Sequence, residues 1–195
     1  MTNIESLLKN AREAEKAGLH SAAYELFKKI HLLTPQRDDV CYRAARNLLD
    51  CGRVTEAEDW LESARNIPSN KLWLISLLFG ELCLAQFKPA EAERHFRQAV
   101  SLNPESTSPA IFLADCLWKQ EKNEEALRVL TQALRAKGDV DEVYLNLGLI
   151  KRTQGEYEAA REFLLSAIRA NPDYPAARDA LADVDRCLAI VSEQS

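Results

Sequence analysis

The residues able to do chemistry are few and scattered. The three histidines, His20, His31 and His95, fall on different stretches and form no ligand spacing such as H-E-x-x-H. Each reads as a surface or half-buried helix histidine. The five cysteines, at 41, 51, 83, 116 and 187, make no C-x-x-C pair, so they read as reduced thiols filling helix interfaces rather than as metal ligands or a redox couple. Adjacent carboxylates such as Glu124-Glu125 and Glu156/Glu158 resemble acid/base pairs. They stand at the start of helical stretches, where negative charge favours the helix dipole. There is no glycine-rich phosphate loop and no nucleophile elbow. No catalytic site, metal or cofactor is expected.

The elements that carry these residues are helical. Hydrophobic residues make up 47% of the 195 positions and charged residues 28%, ordinary globular usage. Ala, Leu, Glu, Arg and Lys dominate, with only 6 Gly and 7 Pro, and alternating β-branched runs are missing. The net charge of -5 argues against nucleic acid, which would call for a basic face. The stretch 141–195 carries 10 acids against 6 bases and reads as a solvated surface. No apolar stretch is long enough to span a bilayer, and the N-terminal residues lack a basic-then-apolar signal, so no membrane insertion and a cytoplasmic location are expected.

A pattern recurs every 34 residues or so. Each unit has a small residue in a first helix, a turn, then Ala, a large apolar residue, another small residue, and a closing Pro or Gly. The fifth unit gives Gly148, Gly155, Ala160, Leu164, Ala167 and Pro172. The fourth gives Ala114, the Lys122-Asn123 turn, Ala126, Leu130, Ala133 and Gly138, and the third Gly80, the Lys88-Pro89 turn, Ala92, Phe96, Ala99 and Pro104. Ala45, Gly52, Ala57, Leu61, Ala64 and Pro68 form the second; Ala11, Gly18, Ala23, Phe27, Ile30 and Pro35 form the first. Tyr144, Leu147, Gly148 and Lys151 share one helix face, and small residues at a crossing let two helices approach closely. Gly18 and Gly155 suit a left-handed turn, and Pro35, Pro104 and Pro172 stop their second helices. One hairpin cannot bury its apolar face alone, whereas a stack can.

This pattern resembles the tetratricopeptide repeat family from about Ile4 to Tyr174, most closely at Tyr144-Leu145-Asn146-Leu147-Gly148 through Gly155-Glu156-Tyr157 to Pro172. The aromatic slot filled by Tyr144 is Leu7, Cys41, Ser76 and Ala110 in the other units, and one extra residue sits around Ile67-Pro68-Ser69-Asn70. The resemblance implies an all-α fold, a right-handed superhelix of five helical hairpins plus a C-terminal capping helix. The chain then reads as one domain, 1–195, with repeats at about 4–37, 38–72, 73–106, 107–140 and 141–174 and a capping helix at 175–191. Thr2 and Glu5 have capping-box spacing, and Ala177, Leu181, Val184, Leu188 and Val191 make an apolar stripe on the capping helix.

The resemblance also implies a binding groove lined by the first helices. Its residues here are Leu8 and Arg12; Tyr42, Arg46 and Leu49; Leu77, Glu81 and Leu84; Ile111, Asp115 and Trp118; and Leu145, Leu149 and Arg152. The Lys and Asn set with which one subgroup grips chaperone tails is missing, since Leu8, Tyr42, Leu77 and Ile111 stand in its place. The stretch from Trp73 to Leu84 is apolar nearly all round. Either neighbouring repeats bury it, or it opens an apolar strip through Ile111, Trp118, Leu145 and Leu149 that a partner covers, with Trp118 as anchor. The leading expectation is a protein-interaction scaffold that takes a peptide or amphipathic helix of a partner. The alternatives are self-association into a homo-oligomer through the same strip, and a secretion-type chaperone or substrate-holding module of a larger enzyme system.

Overall fold

The computed structural model describes residues 3–136 and 138–193. Eleven helices span the described residues: α1 (Ile4–Lys16), α2 (His20–Leu33), α3 (Asp38–Asp50), α4 (Val54–Arg65), α5 (Leu72–Ala85), α6 (Pro89–Leu102), α7 (Thr107–Lys119), α8 (Asn123–Ala133), α9 (Val140–Thr153), α10 (Tyr157–Ala170) and α11 (Pro175–Glu193). The chain divides into two compact units, 1–102 and 103–195.

Unit 1 holds three hairpins, α1/α2, α3/α4 and α5/α6, with α2 packed on α3 and α4 on α5. Its core runs through Ala11, Phe27, Ile30, Leu48, Leu61, Ile75, Leu78 and Leu82, all essentially inaccessible. Unit 2 holds hairpins α7/α8 and α9/α10, with α11 packed on α10 and α9. Leu145, Ala160, Leu164, Ala167, Ala177, Ala180 and Val184 form a cluster at its C-terminal end.

The small residues of the repeat set the helix crossings. A methyl group at Gly80 would lie 2.4 Å from the Phe96 ring, and one at Gly148 would lie 2.7 Å from Leu164. Only glycine lets α5 and α9 meet their partner helices at that distance.

The turn inside every hairpin puts one residue in the left-handed region: Gly18 (φ 70°), Gly52 (71°), Phe87 (60°), Glu121 (62°) and Gly155 (76°). Three are the expected glycines. At the third and fourth hairpins a phenylalanine and a glutamate take the same conformation, one residue ahead of the expected Lys88-Pro89 and Lys122-Asn123 turns.

Two details differ from the sequence reading. The first helix is capped by Asn3, whose Oδ1 accepts the Glu5 amide at 3.0 Å; Thr2, expected in that role, lies outside the described residues. The extra residue near Ile67–Asn70 widens the connection between α4 and α5. Ser69 is put to use there: its hydroxyl accepts the Lys71 amide at 2.8 Å and contacts the Asp38 carboxylate at the head of α3.

Candidate peptide-binding surface

Three positions recur on the first helix of each hairpin. The first reads Leu8, Tyr42 and Leu77 in unit 1 and Ile111, Leu145 and Asp179 in unit 2. The second, one turn on, reads Arg12, Arg46 and Glu81, then Asp115, Leu149 and Asp183. The third reads Glu15, Leu49 and Leu84, then Trp118, Arg152 and Arg186.

Burial sorts these columns. Leu77 is 1% exposed, and Ile111 and Leu145 are each 8% exposed. The continuous open apolar strip is therefore corrected: these three side chains are core residues. Tyr42 stays half-buried, as do Leu49, Leu84, Trp118 and Leu149. Tyr42 and Leu49 pack against the core of unit 1, and Leu149 against that of unit 2. The all-round apolar helix α5 is buried along Ile75–Gly80, Leu82 and Cys83, while Leu72 at its start is 41% exposed.

Most of the charged members are paired. The Arg46 fork donates to both oxygens of Glu81 at 2.5 and 2.8 Å, tying α3 to α5. Burial pushes the Glu81 carboxyl up, against the opposing pull of Arg46. Arg43 donates to Glu15 at 2.7 Å, tying α1 to α3, and Asn47, fully buried, donates to the same carboxylate at 2.9 Å. His20 Nδ1 lies 3.2 Å from Asn47 Oδ1 and 3.4 Å from Asp50. In unit 2, Arg152 donates to Asp183 of α11 at 3.1 Å, and Lys119 pairs with Asp115 at 2.7 Å. Arg46, Glu81 and Arg152 thus tie neighbouring helices together, while Asp115 pairs within α7.

Beyond Arg152 the surface opens into a cavity of about 540 Å³ lined by Arg152, Tyr157, Asp183, Arg186, Cys187 and Ile190. Asp183 and Arg186 stand on the capping helix, outside the groove residues that the resemblance implied. Continuing the three columns one more step of 34 residues would have found them.

The other reactive groups do not form a site. Cys41 Sγ lies 3.5 Å from His31 Nδ1, but burial, then Asp38 and Asp39, push its thiol up to about 11, so it carries no thiolate at neutral pH. Trp60 holds the His31 ring edge-on at 4.8 Å. His95 stacks on Phe79 at 5.4 Å, with Arg65 over the same phenyl ring. Cys41, Cys83 and Cys116 are buried in interfaces as expected; Cys51 is exposed and Cys187 is half-buried.

Two tetratricopeptide repeat profiles match the chain, one over residues 77–126 and 113–175, the other over 14–71. The chain belongs to the tetratricopeptide repeat family. Among solved structures, the thermophilic TPR protein TTC0263 of Thermus thermophilus superposes with a TM-score of 0.78 at 19% identity, over 93% of this chain and 98% of that one. YrrB, described as a TPR protein with an unusual peptide-binding site, gives 0.60 at 20% identity over 89% of each chain. At these identities the likeness concerns the fold. A curated relative, cellulose synthase 1 operon protein C of Komagataeibacter xylinus, is 26% identical over 163 residues, 77% of this chain. The match spans only 12% of that protein's length. No helix among the described residues is long and apolar enough to cross a membrane.

Proposed function

We propose that this tetratricopeptide chain is a protein-interaction scaffold that takes an extended peptide or amphipathic helix of a partner along its first-helix face, and not an enzyme. The observation that carries the reading is the division of labour on that face. Glu15, Arg46, Glu81, Arg152 and Asp183 are engaged in ion pairs, while Tyr42, Leu49 and Leu84 in unit 1 and Trp118 and Leu149 in unit 2 keep part of their apolar surface in water. Half-exposed aromatic and aliphatic groups on a rigid frame gain most from a partner that covers them. YrrB shows that proteins of this fold are described as binding peptides. Five cysteines outside any disulfide suit a reducing, cytoplasmic compartment.

The test compares partner capture by the natural chain with that by a Trp118→Ala/Leu149→Ala variant and a Tyr42→Ala/Leu84→Ala variant. The reading expects specific partners to be lost with helicity retained. Unchanged capture by both variants would overturn it. Leu77→Ala is unsuitable, because Leu77 is a core residue and its loss would unfold rather than disarm.

A second reading, a module of a larger secretion or polysaccharide-synthesis system, is favoured by the match to the cellulose synthase operon protein. Co-purification with a synthase or export complex from the native host would distinguish it from a free adaptor.

A further inference from the structure

The cavity at the end of unit 2 has a chemistry distinct from the apolar face beside it. Arg152 at its base is 32% exposed and Arg186 at its rim 76% exposed, and both guanidinium groups share the single carboxylate of Asp183. Within these two pairs, two cations share one anion, and Asp179 on the same helix enters neither of them. The neighbouring cations are already committed: Arg161 pairs with Asp185 at 2.9 Å and Lys151 with Glu156 at 2.8 Å. This local excess stands out in a unit whose 11 bases and 16 acids sum to -5. The Tyr157 side chain and the apolar Ile190 and Cys187 complete the lining.

Trp118 and Leu149 occupy the pair of positions, 31 residues apart, that Arg152 and Asp183 occupy one hairpin later. A segment lying over Trp118 and Leu149 and following this offset therefore runs onto Arg152 and Asp183, with Arg186 on the same cavity. Guanidinium forks bind carboxylates in parallel hydrogen-bond pairs, and the methylenes of an acidic side chain suit the Ile190 wall. Arg186 stands open at the rim, so a chain can continue past it. That favours a side chain hung from a continuing backbone over a chain end.

We propose that this cavity receives the carboxylate of a glutamate or aspartate side chain on the partner segment, placed after the apolar residues that cover Trp118 and Leu149. The inference rests on the binding face proposed above, so its test uses probes too small to need that face. N-acetyl-glutamate N-methylamide, its glutamine analogue and N-acetyl-leucine are titrated into the full chain, following the side-chain Nε resonances of Arg152 and Arg186 by NMR. The glutamate compound is expected to shift both resonances saturably and bind at least about fivefold more tightly than the glutamine analogue at low salt. Arg186→Gln should abolish that preference, and Asp183→Asn should increase it. Equal binding of the glutamate and glutamine compounds would overturn the proposal. Tighter binding of N-acetyl-leucine would overturn it in favour of a chain-terminal carboxylate. Neither result depends on Trp118 and Leu149, so loss of the groove reading and loss of this one can be told apart.

Discussion

Phe87 carries two costs at once. Its backbone sits in the left-handed region, where a side chain crowds the following carbonyl, and its ring is 92% exposed. Three of the five equivalent turns use glycine. Phe87→Gly should therefore stabilise the chain by about 0.5–1 kcal/mol, the relieved strain exceeding the added freedom of the unfolded chain. Thermal melting of the two proteins checks this, and a lower melting temperature for the variant would count against it. His95 gives a second prediction at this scale. Burial, then the Arg65 charge, holds its imidazole below the ordinary range. The unfolded chain then binds the proton first, so stability is full above about pH 6.5 and falls as the pH drops through the lowered value. Urea midpoints at pH 7.5 and pH 5 should differ by less in His95→Asn than in the natural chain.

At the scale of the helices, the repeat was legible because its small residues are geometric requirements. Gly80 and Gly148 mark crossings that admit no methyl group, and the first helices begin at Ile4, Asp38, Leu72, Thr107 and Val140. Gly80→Ala should cost about 1–3 kcal/mol, since the Phe96 ring must move within a packed core. A matched exposed control, Ala90→Gly, separates this from helix propensity in the same denaturation experiment. The site was less legible. Nothing local distinguishes Leu77 from Leu84, both apolar and on one helix; which is covered depends on the adjoining hairpins. Arg46, Glu81 and Arg152 read as groove residues rather than as ties between helices because their partners stand 31–35 residues away. The end helix α11 hid its role for the same reason. Its apolar stripe was legible, and Val184 of that stripe is wholly buried in the terminal cluster; its share in the Arg152 ion pair was not. Val184→Asp should destabilise the chain by about 3 kcal/mol or more by burying an unpaired carboxylate.

At the scale of the molecule, the two units differ in composition as well as in place. Residues 1–102 carry 14 bases and 14 acids, whereas the remainder carries the entire net charge of -5. Three stacked hairpins with their own core meet the usual minimum for a repeat array. A chain of residues 1–102 should therefore be helical and melt cooperatively by circular dichroism; a broad, non-cooperative melt would show that unit 1 depends on unit 2.

The ion pairs between first helices bear on the order in which the hairpins assemble. Repeat chains can misassemble by skipping a unit, because any hairpin offers a similar apolar face to any other. In unit 1 the second hairpin answers Glu15 with Arg43, and the third answers Arg46 with Glu81. Were the third hairpin to dock directly on the first, the position of Arg43 would be filled by Leu78. Glu15 would then be enclosed with no cation, a penalty that a correctly ordered stack avoids. Within unit 1 near-interchangeable hairpins are thus addressed by charge, and these pairs tell its hairpins which neighbour is their own.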